Sequence, residues 1–304
     1  MDLTRRAFAA GMALAGLSFK AKASSPIVVG TKLDLEGALL GQMILLALGA
    51  KKIATENKLQ IGPTAILREA ILSGAIDLCV EYTGNAAFFF HQEGDPVWKN
   101  AAAGFTRAAE LDLRHNDLIW LTPAPADNTW VIAIPAALAR AKGLRTLEDF
   151  AAYARAGGRV RLAASAEFVE SASGLPAFEE IYGFKLTAAQ LLVLSGGETS
   201  ATMKAAADGI SGVNAAMAYG TDGALRALDL FALEDPRHAE PVYAPAPVVR
   251  APVLAAYPQI PGILAPIFKS LDLATLRALN ETVAVEGAPA AEVAQDFLRR
   301  RKLL

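Results

Sequence analysis

The chain is poor in the residue constellations that drive catalysis. None of its three histidines, His91, His115 and His238, stands in a metal-ligand spacing such as H-E-x-x-H. Ser200 and Lys204 are one residue too far apart for S-x-x-K, and no G-x-S-x-G elbow presents a serine nucleophile. Gly196 and Gly197 lack the strand-to-helix context of a dinucleotide loop, and no G-x-x-x-x-G-K-[ST] is present. What stands out instead is three aromatic residues beside turns: Tyr82 in "AIDLCVEYTGN", Trp130 after Asp127-Asn128, and Tyr219 before "GTDG". A quaternary ammonium has no N–H to donate, so a protein holds it through apolar contact and the faces of Trp or Tyr. Any one of the three is as readily a core residue. Their shared placement favours capture of a cation without reaction on it.

Strands must end where those aromatics stand. "SPIVVGTKLDLEGALLGQMILLALGA" predicts a strand over Ile27–Val29, a Gly30-Thr31-Lys32 turn and a helix from about Glu36. "GPTAILREAILSGAIDLCV" predicts a helix capped by Thr64 with Ile66, Leu67, Ala70 and Ile71 on one face, Gly74 at C′, and a strand after it. This alternation implies an α/β fold with a largely parallel sheet, whose strand C-terminal ends gather ligands. Three prolines and the Asp127-Asn128 turn in "LTPAPADNTWVIAIPAAL" mark a first crossing between lobes, before a short strand over Trp130–Ile134. A helix capped by Thr146 and ended by Gly157 follows, then a strand in "RVRLAAS". "GVNAAMAYGTDG" gives a strand ending at Tyr219 and a return crossing. The expected organisation is a hinged clamp, with residues 24–128 and 222–304 forming one lobe and 129–221 the other.

Composition agrees with two such lobes: 304 residues, 53% hydrophobic and 20% charged, can fill two cores. A net charge of −2 gives no electrostatic reason to bind a phosphate backbone, so nucleic acid is not an expected partner. The run Arg299-Arg300-Arg301-Lys302 fits the solvated end of a last helix. The single cysteine, Cys79, cannot pair internally and suits a buried strand position. At the N-terminus, Arg5-Arg6 before Phe8, a short apolar stretch and Ala21-Lys22-Ala23 predict an export signal over residues 1–23 of twin-arginine-like type, with a periplasmic mature chain from Ser24. The apolar stretch is too short and alanine-rich to span a bilayer well, and charges or prolines interrupt every later one.

From Ile27 to the C-terminus the chain resembles the OpuAC-like substrate-binding proteins of ABC importers for glycine betaine, choline and related osmoprotectants. The blocks that carry the resemblance are "VGTKLDLEGALLGQM", "TAILREAILSGAIDLCVEYTGN", "DNTW", "YGTDG", and the close from "YAPAPVVRAPVLAAYPQI" to "LNETVAVEGAPAAEVAQDFL". "LSGGETSATMKAAADGISGVNAAMAYGTDG" is nearer still to one osmoprotectant-binding subgroup of that family. The resemblance implies a two-lobed periplasmic-binding-protein (type II-like) fold, a quaternary-ammonium ligand, no cofactor or metal, and an inner-membrane permease with a cytoplasmic ATPase as partner. It places Tyr82, Trp130 and Tyr219 on aromatic-cage positions, Lys32 near the ligand's carboxylate end, and Asn85 and Thr221 at polar positions of the site, with Gly84 admitting a close backbone.

Two departures bear on affinity. Relatives that bind well carry an arginine in E-F-x-x-R-x-x-G-L-P, where this chain has "EFVESASGLP" and therefore Ser171. A fourth cage tyrosine is expected near Ala201 or Thr202, where none occurs, and Phe168 is the conjectured substitute. Loss of a charge-assisted carboxylate clamp costs roughly 1.5–3 kcal/mol, one to two decades in affinity. The expectation is weak glycine betaine binding, or a bulkier betaine or aromatic cation in the same cleft. An enzyme on this fold would need a positioned acid or base, for which Glu167 and Asp222 are the candidates, though carboxylates there more often brace a hinge or cap a helix. A clamp that must open freely is expected to be a monomer.

Overall fold

The computed structural model describes residues 25–194 and 199–304. The export-signal reading of residues 1–23, the start at Ser24 and the Gly196-Gly197 pair lie outside them. Ten strands alternate with helices: β1 (Ile27–Lys32), β2 (Thr55–Gly62), β3 (Leu78–Tyr82), β4 (Leu118–Trp120), β5 (Trp130–Pro135), β6 (Leu162–Ser165), β7 (Leu191–Leu194), β8 (Ala215–Tyr219), β9 (Leu230–Ala232) and β10 (Pro245–Arg250) among the described residues. They form two five-stranded sheets, ordered β2-β1-β3-β10-β4 and β7-β6-β8-β5-β9.

The two sheets obey one plan. In the first, β2, β1 and β3 are parallel, β10 runs antiparallel to β3, and β4 antiparallel to β10. In the second, β7, β6 and β8 are parallel, β5 is antiparallel to β8, and β9 antiparallel to β5. The reversed strand of each sheet is the one that arrives from the other lobe. A chain entering at the C-terminal ends of parallel strands can join them only by running back the other way. Largely parallel sheets were expected, and each holds one strand that opposes its neighbours.

Local signals explain most element ends. Asp34 accepts from the Gly37 N–H and caps the helix Leu35–Ala50. Thr146 and Asp149 form a reciprocal capping box at Leu147–Arg155. Gly74 ends the helix Thr64–Ser73 in the left-handed region at φ 77°, although Thr64 is that helix's first residue and Pro63 its cap. Leu39, Leu40, Met43 and Ile44 pack with Phe268 and the last helix, Ala290–Arg300, in one core. Phe150, Phe168 and Phe178 anchor the core of the second sheet. Cys79 is buried in β3, where burial pushes its thiol pKa well up.

The second crossing lies later than the sequence predicts. β9 pairs with β5 and so belongs to the second sheet, and the chain rejoins the first sheet only at β10. Three residues are too few to announce a strand by pattern, and the turn Gly220-Thr221-Asp222-Gly223 reads as the crossing in its place.

Candidate functional site

The paired strand ends face the crossings. On the first sheet Tyr82, the last residue of β3, pairs with Pro245, the first of β10. On the second, Tyr219, the last of β8, pairs with Trp130, the first of β5. Each aromatic therefore stands where the chain enters or leaves a sheet.

The first edge is polar and charged. Glu81, 3% exposed, accepts on Oε1 from the Tyr82 backbone N–H at 2.8 Å and from Asn85 Nδ2 at 2.6 Å, and pairs there with Lys32 Nζ at 2.8 Å. Glu81 thus braces the turn into Gly84 and Asn85. Lys32 is delivered by a register break between β1 and β2, where Lys32 pairs Gly62 although Gly30 pairs Lys58. Such irregularities re-aim side chains. Its ammonium lies 4.5 Å from the Tyr82 ring centroid.

The second edge is aromatic. Trp130 meets Phe168 edge to face at 5.4 Å, and Phe168 in turn contacts Phe178 at 5.8 Å. Burial pushes the Tyr219 hydroxyl up to about 12. The two edges are tied through one network: Tyr82, on the first sheet, and Thr221, two residues past Tyr219 on the second, are both linked to Asn128 and Glu36 by side-chain hydrogen bonds.

A buried glutamate that the sequence reading passed over joins them. Glu36 Oε1 accepts from the Tyr82 hydroxyl at 2.7 Å and from Asn128 Nδ2 at 2.8 Å, while Oε2 accepts from Asn280 Nδ2 at 2.6 Å. Asn128 also donates to Thr221 Oγ1 at 2.6 Å, and Asn280 to the Thr221 carbonyl at 2.9 Å. Burial raises the Glu36 pKa and these donors oppose it. The crossings themselves lie side by side: Tyr243 N–H donates to Asp127 Oδ1 at 2.8 Å, and Asn128 N–H to the Tyr243 carbonyl at 3.0 Å. Burial pushes Asp127 up to about 6.

Tyr243 is the second residue missed. A Cβ on Gly84 would stand 2.8 Å from its ring, so only glycine admits it there. The signal was available in "EPVYAPAPVV", where an aromatic precedes a proline-rich strand entry. Gly84 was singled out for closeness of backbone, and what comes close is this ring.

Among the predicted positions, Lys32, Tyr82 and Asn85 gather at the first edge, and Trp130 and Tyr219 at the second. Phe168 does not line the cleft: it is fully buried in the core behind Trp130, because the short helix Ala166–Glu170 turns its apolar side inward. Thr221 is buried in the Glu36 network, where its hydroxyl oxygen accepts from Asn128 Nδ2. Ser171 ends that short helix, 3.0 Å from the Ser173 hydroxyl. Of the candidate acid–base pair, Asp222 accepts from the Tyr219 N–H at 2.7 Å and so closes the turn, and Glu167 is exposed. Among the described residues no group of His, Cys, Asp and Glu is arranged to hold a metal, and no helix is long and apolar enough to cross a membrane.

Known proteins match this chain in sequence and fold. The chain is 54% identical over 288 residues to the glycine betaine-binding protein YehZ of Escherichia coli (strain K12), covering 95% of this chain and 94% of that one. The apo YehZ structure superposes with a TM-score of 0.81 over 92% of this chain and 100% of that chain. A glycine-betaine-binding protein of Pseudomonas aeruginosa is 30% identical over 247 residues, 79% of this chain and 77% of the other. Residues 25–300 match OpuAC, the substrate-binding domain of ABC-type glycine betaine transport systems, and the chain belongs to that family of substrate-binding components of osmoprotectant importers.

Proposed function

We propose that this protein captures a quaternary-ammonium osmolyte in the periplasm and passes it, chemically unchanged, to an inner-membrane permease driven by a cytoplasmic ATPase. The observation that carries the reading is the set of aromatic residues that both sheets and the second crossing place beside one buried hydrogen-bond network: Tyr82, Trp130, Tyr219 and Tyr243. Aromatic faces around an apolar, desolvated cation supply attraction without needing a hydrogen bond from it. Lys32, from the rim of β1, meets the carboxylate of a zwitterionic ligand, and Asn85 holds Glu81 in place beside it. Tyr243, beside Gly84, supplies a fourth aromatic ring where the segment around Ala201 and Thr202 supplies none.

Affinity for glycine betaine is weak in this reading. Ser171 stands where an arginine would clamp the carboxylate with two charge-assisted bonds. Calorimetric titration with glycine betaine, choline and tetramethylammonium tests the reading, with Trp130→Ala alongside. Saturable binding that the variant loses supports the aromatic site. No heat from any of the three up to high millimolar concentration rejects it. In Ser171→Arg, glycine betaine affinity rises by about ten- to a hundredfold while tetramethylammonium affinity does not.

A further inference from the structure

The Tyr82 face already has an occupant. Lys32 Nζ sits 4.5 Å from the ring centroid, inside the range over which a cation is drawn to an aromatic face. The Lys32 side chain is only 12% exposed, so the attraction acts with little water between. Three contacts fix the geometry. The β1–β2 register break delivers the lysine. Glu81, 3% exposed, holds the ammonium at 2.8 Å. The Tyr82 hydroxyl donates to Glu36 at 2.7 Å, which locks the ring and leaves its face richer in electron density.

A second cation cannot share that face, because two positive charges a few ångströms apart in a partly dry site repel strongly. We propose that Lys32 is a built-in competitor: its ammonium occupies the Tyr82 face, and a quaternary ammonium binds by displacing it. This rests on the reading that the Tyr82 face receives the ligand's cation. Displacement does not strand Glu81, whose Oε1 keeps the Tyr82 N–H at 2.8 Å and Asn85 Nδ2 at 2.6 Å. It does leave the lysine ammonium short of a partner. A ligand that brings its own carboxylate supplies one, and a carboxylate-free cation does not. Lys32 thereby sets selectivity for zwitterions over simple cations by penalising the latter, a repulsive device beside the attractive one.

The test compares wild type with Lys32→Met, which keeps the chain length and removes the charge, and with Lys32→Gln as a polar control. Calorimetry reads affinity for tetramethylammonium and glycine betaine, and nuclear magnetic resonance reads the lysine ε-methylene signals of the ligand-free protein. Both variants gain about tenfold for tetramethylammonium, the size of one cation–π contact, and lose affinity for glycine betaine. In ligand-free wild type one ε-methylene is shifted upfield by ring current, and the shift vanishes in Tyr82→Leu and on saturation with tetramethylammonium. If wild type binds tetramethylammonium and neither variant gains, or no lysine carries the upfield shift, the competitor role is overturned and the osmolyte reading stands. Absence of binding by all three proteins overturns both.

Discussion

The two cleft edges solve the same placement problem with opposite chemistry. Both set an aromatic residue at the last position of a parallel strand and pair it with the first residue of an incoming antiparallel strand. On the first sheet the aromatic is tied by its hydroxyl to buried Glu36 and covered by Lys32. On the second, Trp130 leans on Phe168 and the core behind it. One edge is positioned by directional bonds whose loss strands several partners, the other by packing that yields gradually. In the proposed clamp that division would serve two needs, the polar edge fixing the hinge geometry and the packed edge offering an apolar wall to the cation.

Breaking the polar edge has the largest expected effect. Glu36→Ala removes the common acceptor of Tyr82, Asn128 and Asn280 and leaves buried donors unpaired. A cost of about 3–5 kcal/mol is expected in urea unfolding, with ligand binding lost as Tyr82 and the crossing at Asn128 come loose. A cost below about 1 kcal/mol would mean that the first edge, too, is held by packing.

The crossings sharpen the comparison through pH. Glu240, in the second crossing, is 3% exposed, and neither carboxylate oxygen has a hydrogen-bond partner among the described residues. Burial pushes it up from 4.5 to about 9, Asp235 and Asp127 adding to the rise and Lys99 opposing it. Between those limits the unfolded chain has released the proton and the folded one retains it. Stability therefore falls as pH rises through the window, by up to about 1.4 kcal/mol per pH unit for one proton, and levels off above it. Asp127, raised from 3.8 to about 6, adds the same sign over a lower and narrower window. Glu240→Gln should flatten the profile of melting temperature between pH 6 and 9 and leave the protein more stable than wild type at the alkaline end. Parallel profiles for the two proteins would show that Glu240 is not held protonated by the fold.

Tyr243→Leu probes the meeting of the two edges. The ring abuts Gly84 of the first lobe, and the Tyr243 carbonyl accepts from the Asn128 N–H, two residues before Trp130. In calorimetry the variant is expected to lose about tenfold in affinity for any quaternary ammonium, the worth of one aromatic face. Unchanged affinity would remove Tyr243 from the cage.

What the sequence disclosed followed from local rules. Tyr82, Trp130 and Tyr219 were found because each ends or begins a strand beside turn residues, and strand ends are written in short-range pattern. Glu36 was passed over because its partners lie 46, 92 and 244 residues away, and no local signal distinguishes a buried carboxylate from a first-turn helix residue. Thr221 and Asn128 belong to the same long-range network and were read singly. The second crossing was misplaced because β9, Leu230–Ala232, declares itself only by pairing with β5.

Phe168 gives the smallest expected effect on ligand. It is the conjectured substitute, from "EFVESASGLP", for the aromatic missing near Ala201 and Thr202. In the fold, Ser165 caps the helix Ala166–Glu170 by accepting from the Phe168 N–H at 3.1 Å, which directs the ring into the core against Phe178 and the edge of Trp130. Truncation to leucine keeps the site apolar and removes part of one buried ring, so Phe168→Leu should cost about 1–2 kcal/mol in unfolding. The Trp130 ring loses a neighbour but not its strand, so affinity for glycine betaine should change less than about threefold, within the uncertainty of one edge contact. A loss as large as that of Tyr243→Leu would place Phe168 at the ligand after all. Equality of the two variants in both stability and affinity would erase the distinction between a residue that touches the cation and one that only supports the wall.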